Sequence, residues 1–112
     1  MKVPIIDAHA HYGKWFFPIR MNNMQSFKML MQRFNMEAAV CSSSKAVVYD
    51  FVEGNMELHQ ALDPSSGVYG YVTINPNYSD LSKKEIEKYL GLPEFKGVKF
   101  HTAYTGVPIN SE

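Results

Sequence analysis

The 112-residue sequence predicts an α/β protein, a parallel sheet covered by helices, and three observations carry that prediction. Four short segments are apolar and rich in β-branched residues, the pattern of strands buried on both faces. They recur regularly: from Val3 to Ala38, to Val68 and to Val98 the steps are 35, 30 and 30 residues. A strand-helix-strand unit takes about 30 residues or more, whereas hairpins recur at much shorter intervals. The intervening stretches carry helical periodicity and helix-end signals. No residue-level repeat accompanies the rhythm, so it belongs to the architecture.

The expected strands cover residues 3–8, 37–42, 68–75 and 97–101. After the first, Phe27, Leu30, Met31 and Phe34 fall at i, i+3, i+4 and i+7, one apolar helical face. Asn22 is placed to cap that helix, and Asn35 to take the left-handed turn at its end. A second helix is expected over residues 50–62, with Leu58 and Leu62 paired at i+4 and Asp63-Pro64 ending it. The third carries Ser82-Lys83-Lys84-Glu85, read as a capping box in which serine and glutamate satisfy each other's orphan amides. Leu81 and Ile86 are spaced as a hydrophobic staple, and Gly91 and Pro93 close the helix. About four strands and three helices result, with polar residues gathered at the strand C-terminal ends: His9 and His11, Ser42 to Ser44, Asn75, Lys99 and His101. That is where parallel α/β folds place their chemistry.

Composition narrows the function. Eleven basic residues balance eleven acidic ones, and 46% of residues are apolar, which excludes a disordered tail and a strongly basic nucleic-acid binder. The length suits one domain. A single cysteine, Cys41, cannot form an internal disulfide and favours a reducing compartment. No apolar run reaches the 7 to 15 residues of a secretory signal or the roughly 20 of a membrane span, so a cytoplasmic protein without membrane partners is expected.

Ile6-Asp7-Ala8-His9-Ala10-His11 is the informative stretch. Side chains alternate along a strand, so Asp7, His9 and His11 are expected on one side. Two imidazoles so spaced can bind one metal ion, with nitrogen about 2.0 to 2.1 Å from zinc. Asp7 is then a candidate for orienting an imidazole, since ligating histidines usually need such a partner. A bare H-x-H also describes surface histidines; here it closes an apolar strand, with Asp7 before it and Gly13 after it.

Residues 5–13, IIDAHAHYG, resemble the D-x-H-x-H signature that opens metal-dependent hydrolases of the amidohydrolase superfamily. Residues 70–76, GYVTINP, and 95–101, FKGVKFH, resemble the third and fourth strands of its amidohydrolase-related branch, in the same order and at about the same spacing. The resemblance implies a (β/α)₈ TIM barrel with a divalent metal, usually zinc, at its C-terminal mouth. His9 and His11 match the first two metal ligands. Two further histidines, after the fifth and sixth strands, and an aspartate base after the eighth complete the family site. Four units make half a barrel, so residues 1–112 are expected to be the N-terminal half of such a domain and inactive alone. A full barrel takes about 250 residues. A fragment or a truncated gene product is the favoured explanation, with a half-barrel completed by a second copy as the other.

The implied function is hydrolysis of an amide, ester or lactone of a small molecule by metal-activated water. Metal-dependent decarboxylation within the same superfamily is the alternative. A small α/β domain that binds a ligand or partner without chemistry, or a structural remnant, is the reading from other classes. Lys99 and His101 share a strand face by the same alternation and are candidates for binding substrate. His101 is equally read as a structural histidine, and Lys99 also matches the position of a carboxylated, metal-bridging lysine in binuclear relatives. His59 is expected to be a solvent-facing or partly packed helix residue and Cys41 an inert buried thiol. Trp15-Phe16-Phe17-Pro18 reads as loop anchoring or as an apolar wall over a substrate. No phosphate-binding glycine motif occurs.

Overall fold

Four parallel strands form one sheet in strictly sequential order: β1 (Ile5–Tyr12), β2 (Met36–Ser43), β3 (Val68–Thr73) and β4 (Phe95–Lys99). The computed structural model describes residues 3–18 and 23–111. Between the strands run α1 (Met24–Arg33), α2 (Ser44–Val48), α3 (Phe51–Ala61) and α4 (Ser79–Tyr89), and α5 (Thr102–Thr105) follows β4. Each strand is bonded to its neighbour in the chain, and β1 and β4 are the two ends of the row. This is the expected α/β arrangement of β/α units, open rather than closed into a barrel. No helix among the described residues is long and apolar enough to cross a membrane.

One face of the sheet is buried. Ala39, Cys41, Val68, Val72 and Phe95 pack there against Met31 of α1, Leu58 of α3 and Tyr89 of α4. The opposite face carries the alternate residues Tyr69 and Tyr71 and, past a register shift between β3 and β4, Lys99, the partner of Thr73. Strand β1 departs from the doubly buried pattern read in the sequence. Ile5 and Ile6 are 45% and 64% exposed, because among the described residues this strand has a neighbour on one side only.

The helix ends show which local signals operate. Asn23 caps α1, its Oδ1 accepting from the Ser26 amide at 2.8 Å; Asn22 lies outside the described residues. Asn35 takes the left-handed turn at φ 53°, as its position suggests. Asp50 caps α3 by accepting from the Glu53 amide at 2.9 Å, and the helix stops at Leu62. The short helix α2, not foreseen, starts because the Ser43 hydroxyl accepts from the Ala46 amide at 3.1 Å. Strand β4 ends at Lys99, two residues earlier than expected, because His101 is already the cap of α5.

The capping box is a correction. Helix α4 begins at Ser79, straight after a 3-10 turn at Pro76–Tyr78, so Ser82 and Glu85 lie within the helix. Spacing of i, i+3 also places two residues on one helix face, and here that face points inward. The Ser82 hydroxyl donates to the Asn75 carbonyl at 2.7 Å and accepts from the Asn75 amide at 3.2 Å. Glu85 accepts from Asn55 Nδ2 at 2.9 Å. Leu81 is exposed and staples nothing, and the helix ends at Leu90 in right-handed geometry without a left-handed Gly91.

Asn55 explains why β3 can continue where β2 leaves it. The β2–β3 ladder ends at Cys41 and Gly70, so Thr73 has no strand partner on that side. Asn55 supplies both bonds, donating to the Thr73 carbonyl at 2.8 Å and accepting from its amide at 2.9 Å. Fully buried, it acts as a one-residue extension of the ladder.

Close approach of α2 to α3 depends on Gly54, where a Cβ would lie 2.6 Å from both Cα and Cβ of Ala46. Gly54→Ala raises intrinsic helix propensity by about 1 kcal/mol, yet overpacking a rigid contact costs roughly 1–3 kcal/mol. Urea unfolding is expected to show a net loss of stability; an unchanged or higher midpoint would show that α2 shifts freely.

Candidate functional site

The C-terminal half of β1 carries the two histidines, and its local geometry departs from simple alternation. Asp7 pairs with Ala39, but the next pair is Ala10 with Cys41, so three steps along β1 match two along β2. This bulge follows from the Asp7 side chain, whose Oδ1 accepts from the His9 backbone amide at 3.0 Å and bends the strand locally. Asp7 therefore sits beside a residue of the helix-covered face, and its Oδ1 serves the backbone rather than an imidazole.

His9 and His11 nevertheless come together. Their ring centroids are 5.1 Å apart at an interplanar angle of 57°. The edge of Trp15 meets His11 at 5.0 Å, and Phe17 stacks on Trp15 at 5.7 Å, forming an aromatic wall directly after the second histidine. Tyr71 reaches from β3 across β2 to donate to the Ala8 carbonyl at 2.8 Å, tying the bulged edge strand to the sheet. From β4, Lys99 Nζ approaches His9 Nε2 to 3.4 Å. Ala8, His9, Tyr71, Val98 and Lys99 line a depression of about 280 Å³ at this point. A larger cavity of about 540 Å³ lies elsewhere, bordered by Tyr12, Tyr49 and Lys45. It lacks histidine, and its Lys45 is already paired with Glu53 and Glu57, both at 2.8 Å.

The electrostatics at His11 favour the neutral imidazole. Burial lowers the His11 pKa below the ordinary 6.5, and the nearby His9, Lys99 and His101 lower it further, against a smaller opposing pull from Asp7. A neutral imidazole is the form that ligates metal. His101, beyond the end of β4, caps α5 with Nδ1 accepting from the Tyr104 amide at 3.4 Å, and its ring packs against Tyr104. It belongs to the same electrostatic neighbourhood but is held by its own helix.

The chemistry of this donor set suits two positions of a tetrahedral zinc site. Among the described residues, no group of three or more His, Cys, Asp or Glu is arranged to hold a metal ion. His59 lies apart: its Nε2 meets Glu94 Oε1 at 3.0 Å, and its ring packs on Tyr89 and Phe95. Cys41 is also apart, its thiol donating to the Tyr69 carbonyl while burial pushes its pKa up to about 12. Tyr71 is the site residue that sequence reading overlooked. Its signal was the period-two pattern of Tyr69, Tyr71 and Thr73, which puts all three on the face opposite Val68 and Val72.

Comparison with family models, with curated proteins and with solved structures finds no match to this chain.

The depressed His11 pKa has a definite consequence for stability. Above about pH 6.5 folded and unfolded chains both hold this residue neutral, so it contributes nothing. As pH falls through 6.5 the unfolded chain takes up the proton first, and the folded state loses stability until its own lower pKa is passed. Thermal melts from pH 8 to pH 5 are expected to show a steeper fall for the native sequence than for His11→Asn; parallel curves would contradict this.

Proposed function

We propose that the chain is the N-terminal part of a metal-dependent hydrolase that cleaves an amide, ester or lactone bond of a small molecule. The observation that carries this reading is the pair of adjacent imidazoles, 5.1 Å apart, at the C-terminal end of the first strand of a sequentially ordered parallel sheet. Ligands gather at that end of such sheets. The resemblance of IIDAHAHYG to the opening signature of amidohydrolases supports the same reading.

His9 and His11 would hold the ion, most suitably Zn²⁺, and the disfavoured protonation of His11 keeps a lone pair ready for it. When bound, such an ion lowers the pKa of its water toward about 7 and polarises a carbonyl oxygen. Lys99 stands against His9 Nε2, so its ammonium must withdraw before that nitrogen can ligate. Withdrawn, it remains beside the depression as a donor to a substrate oxygen. His101 has Nδ1 taken by the Tyr104 amide, so Nε2 is the ring nitrogen it would offer a substrate. Tyr71 holds the histidine strand in place.

The unpaired edges of β1 and β4 suit further strands of a barrel, contributed by additional polypeptide or by a second copy. Those strands would bring the remaining ligands and the catalytic base, so this stretch alone is expected to show little or no turnover. A reducing, cytoplasmic setting fits the single buried Cys41.

The test is titration with Co²⁺, read by quenching of Trp15, the one tryptophan in the sequence and 5.0 Å from His11. Saturable quenching at one ion per chain, reversed by a chelator, is expected, with affinity falling tenfold or more in His9→Ala and in His11→Ala. No quenching, or equal quenching in both variants, would refute the reading. Lys99→Met removes the cation that competes at His9 and is expected to tighten Co²⁺ binding; weaker binding would instead make Lys99 a supporting group.

A further inference from the structure

We propose that Ser42 is the positioning residue for His11, accepting the ring N–H that this imidazole turns away from a bound metal ion. The inference rests on the metal-site reading above and deepens it. It begins from the register, in which His11 and Ser42 are direct partners in the β1–β2 ladder. Ala10 and Tyr12 on one strand and Ala39 and Cys41 on the other pack with the buried core. His11, between Ala10 and Tyr12, and Ser42, directly after Cys41, therefore project from the opposite face, side by side on strands about 4.8 Å apart.

Ser42 carries an unexplained feature. It is 1% exposed, and among the described residues its Oγ has no hydrogen-bond partner. Buried hydroxyls nearly always have one, because water is no longer available to satisfy them. Ligating histidines have the complementary need, almost always donating the second ring N–H to an oxygen that fixes tautomer and ring orientation. Asp7, the expected partner, is displaced by the β1 bulge and already accepts from the His9 amide. Ser42 is the adjacent hydroxyl oxygen on the same face, on the residue paired with His11.

Among the described residues two other buried hydroxyls lack partners, Ser44 and Thr73, and Ser44 makes an internal control. Ser44 opens α2, beyond the last β1–β2 pair, and Thr73 lies on β3 beside Lys99, so neither neighbours His11.

The experiment is Co²⁺ titration by Trp15 quenching for the native chain, Ser42→Ala, Ser42→Thr and Ser44→Ala, each checked for folding by circular dichroism. Loss of an outer partner typically lowers metal affinity 10- to 100-fold. That loss is expected for Ser42→Ala, with near-native affinity in Ser42→Thr and Ser44→Ala. In the His11→Ala background, Ser42→Ala should have no further effect. A second readout is the slowly exchanging histidine ring N–H resonance of the zinc-loaded native chain, expected to vanish in Ser42→Ala. Absence of metal binding by the native chain would overturn the site reading and the Ser42 role together. Binding by the native chain with unchanged affinity and an unchanged ring N–H in Ser42→Ala would overturn the Ser42 role alone.

Discussion

Everything at the candidate site depends on the parallel pairing of β1 with β2. Strand β1 is an edge, bonded on one side only, yet it carries both histidines. The ladder sets which face His11 occupies and which residue stands beside it. The bulge after Asp7 adjusts the approach of His9, and the Tyr71 hydroxyl clamps the strand from two strands away. A one-residue slip of this pairing would send the imidazoles toward the helices. The local stability of one edge strand thus controls the geometry of the site.

Much of the fold was legible because its signals are local or periodic. Asn35 and the inward positions Phe27 and Met31 of α1 act through their own helix, so sequence neighbours suffice to read them, whereas Phe34, expected on the same apolar face, is 53% exposed where the helix ends. The spacing of four apolar segments reports the β/α alternation for the same reason. Ser82 and Glu85 misled because i, i+3 spacing serves equally for a cap and for an inward polar pair, and only the position of Asn55 and of the Asn75 backbone decides between them. Helix α2 was missed since its cap Ser43 and first residue Ser44 continue the end of an apolar strand.

The site was legible in its ligand pair and opaque in its surroundings. That His9 and His11 share a neighbourhood follows from two-residue spacing in a strand. Asp7, at the same spacing, is drawn away by a hydrogen bond to its own backbone, which alternation cannot foresee. The approach of Lys99 to His9 spans 90 positions of sequence and needs the curvature of the sheet. Burial first, and then the imidazoles and the cation crowded on one face, disfavour protonation of His11. Lys28 and Lys45, by contrast, are satisfied by carboxylates at 2.6 and 2.8 Å.

The central claim is that two imidazoles of β1 grip one ion together. X-ray absorption at the zinc edge of the zinc-loaded chain measures this directly. The account predicts scattering from two imidazole rings with nitrogen at about 2.0–2.1 Å and lighter oxygen donors filling the remaining positions. A spectrum with one imidazole or none, or zinc held by the Cys41 sulfur, would contradict it.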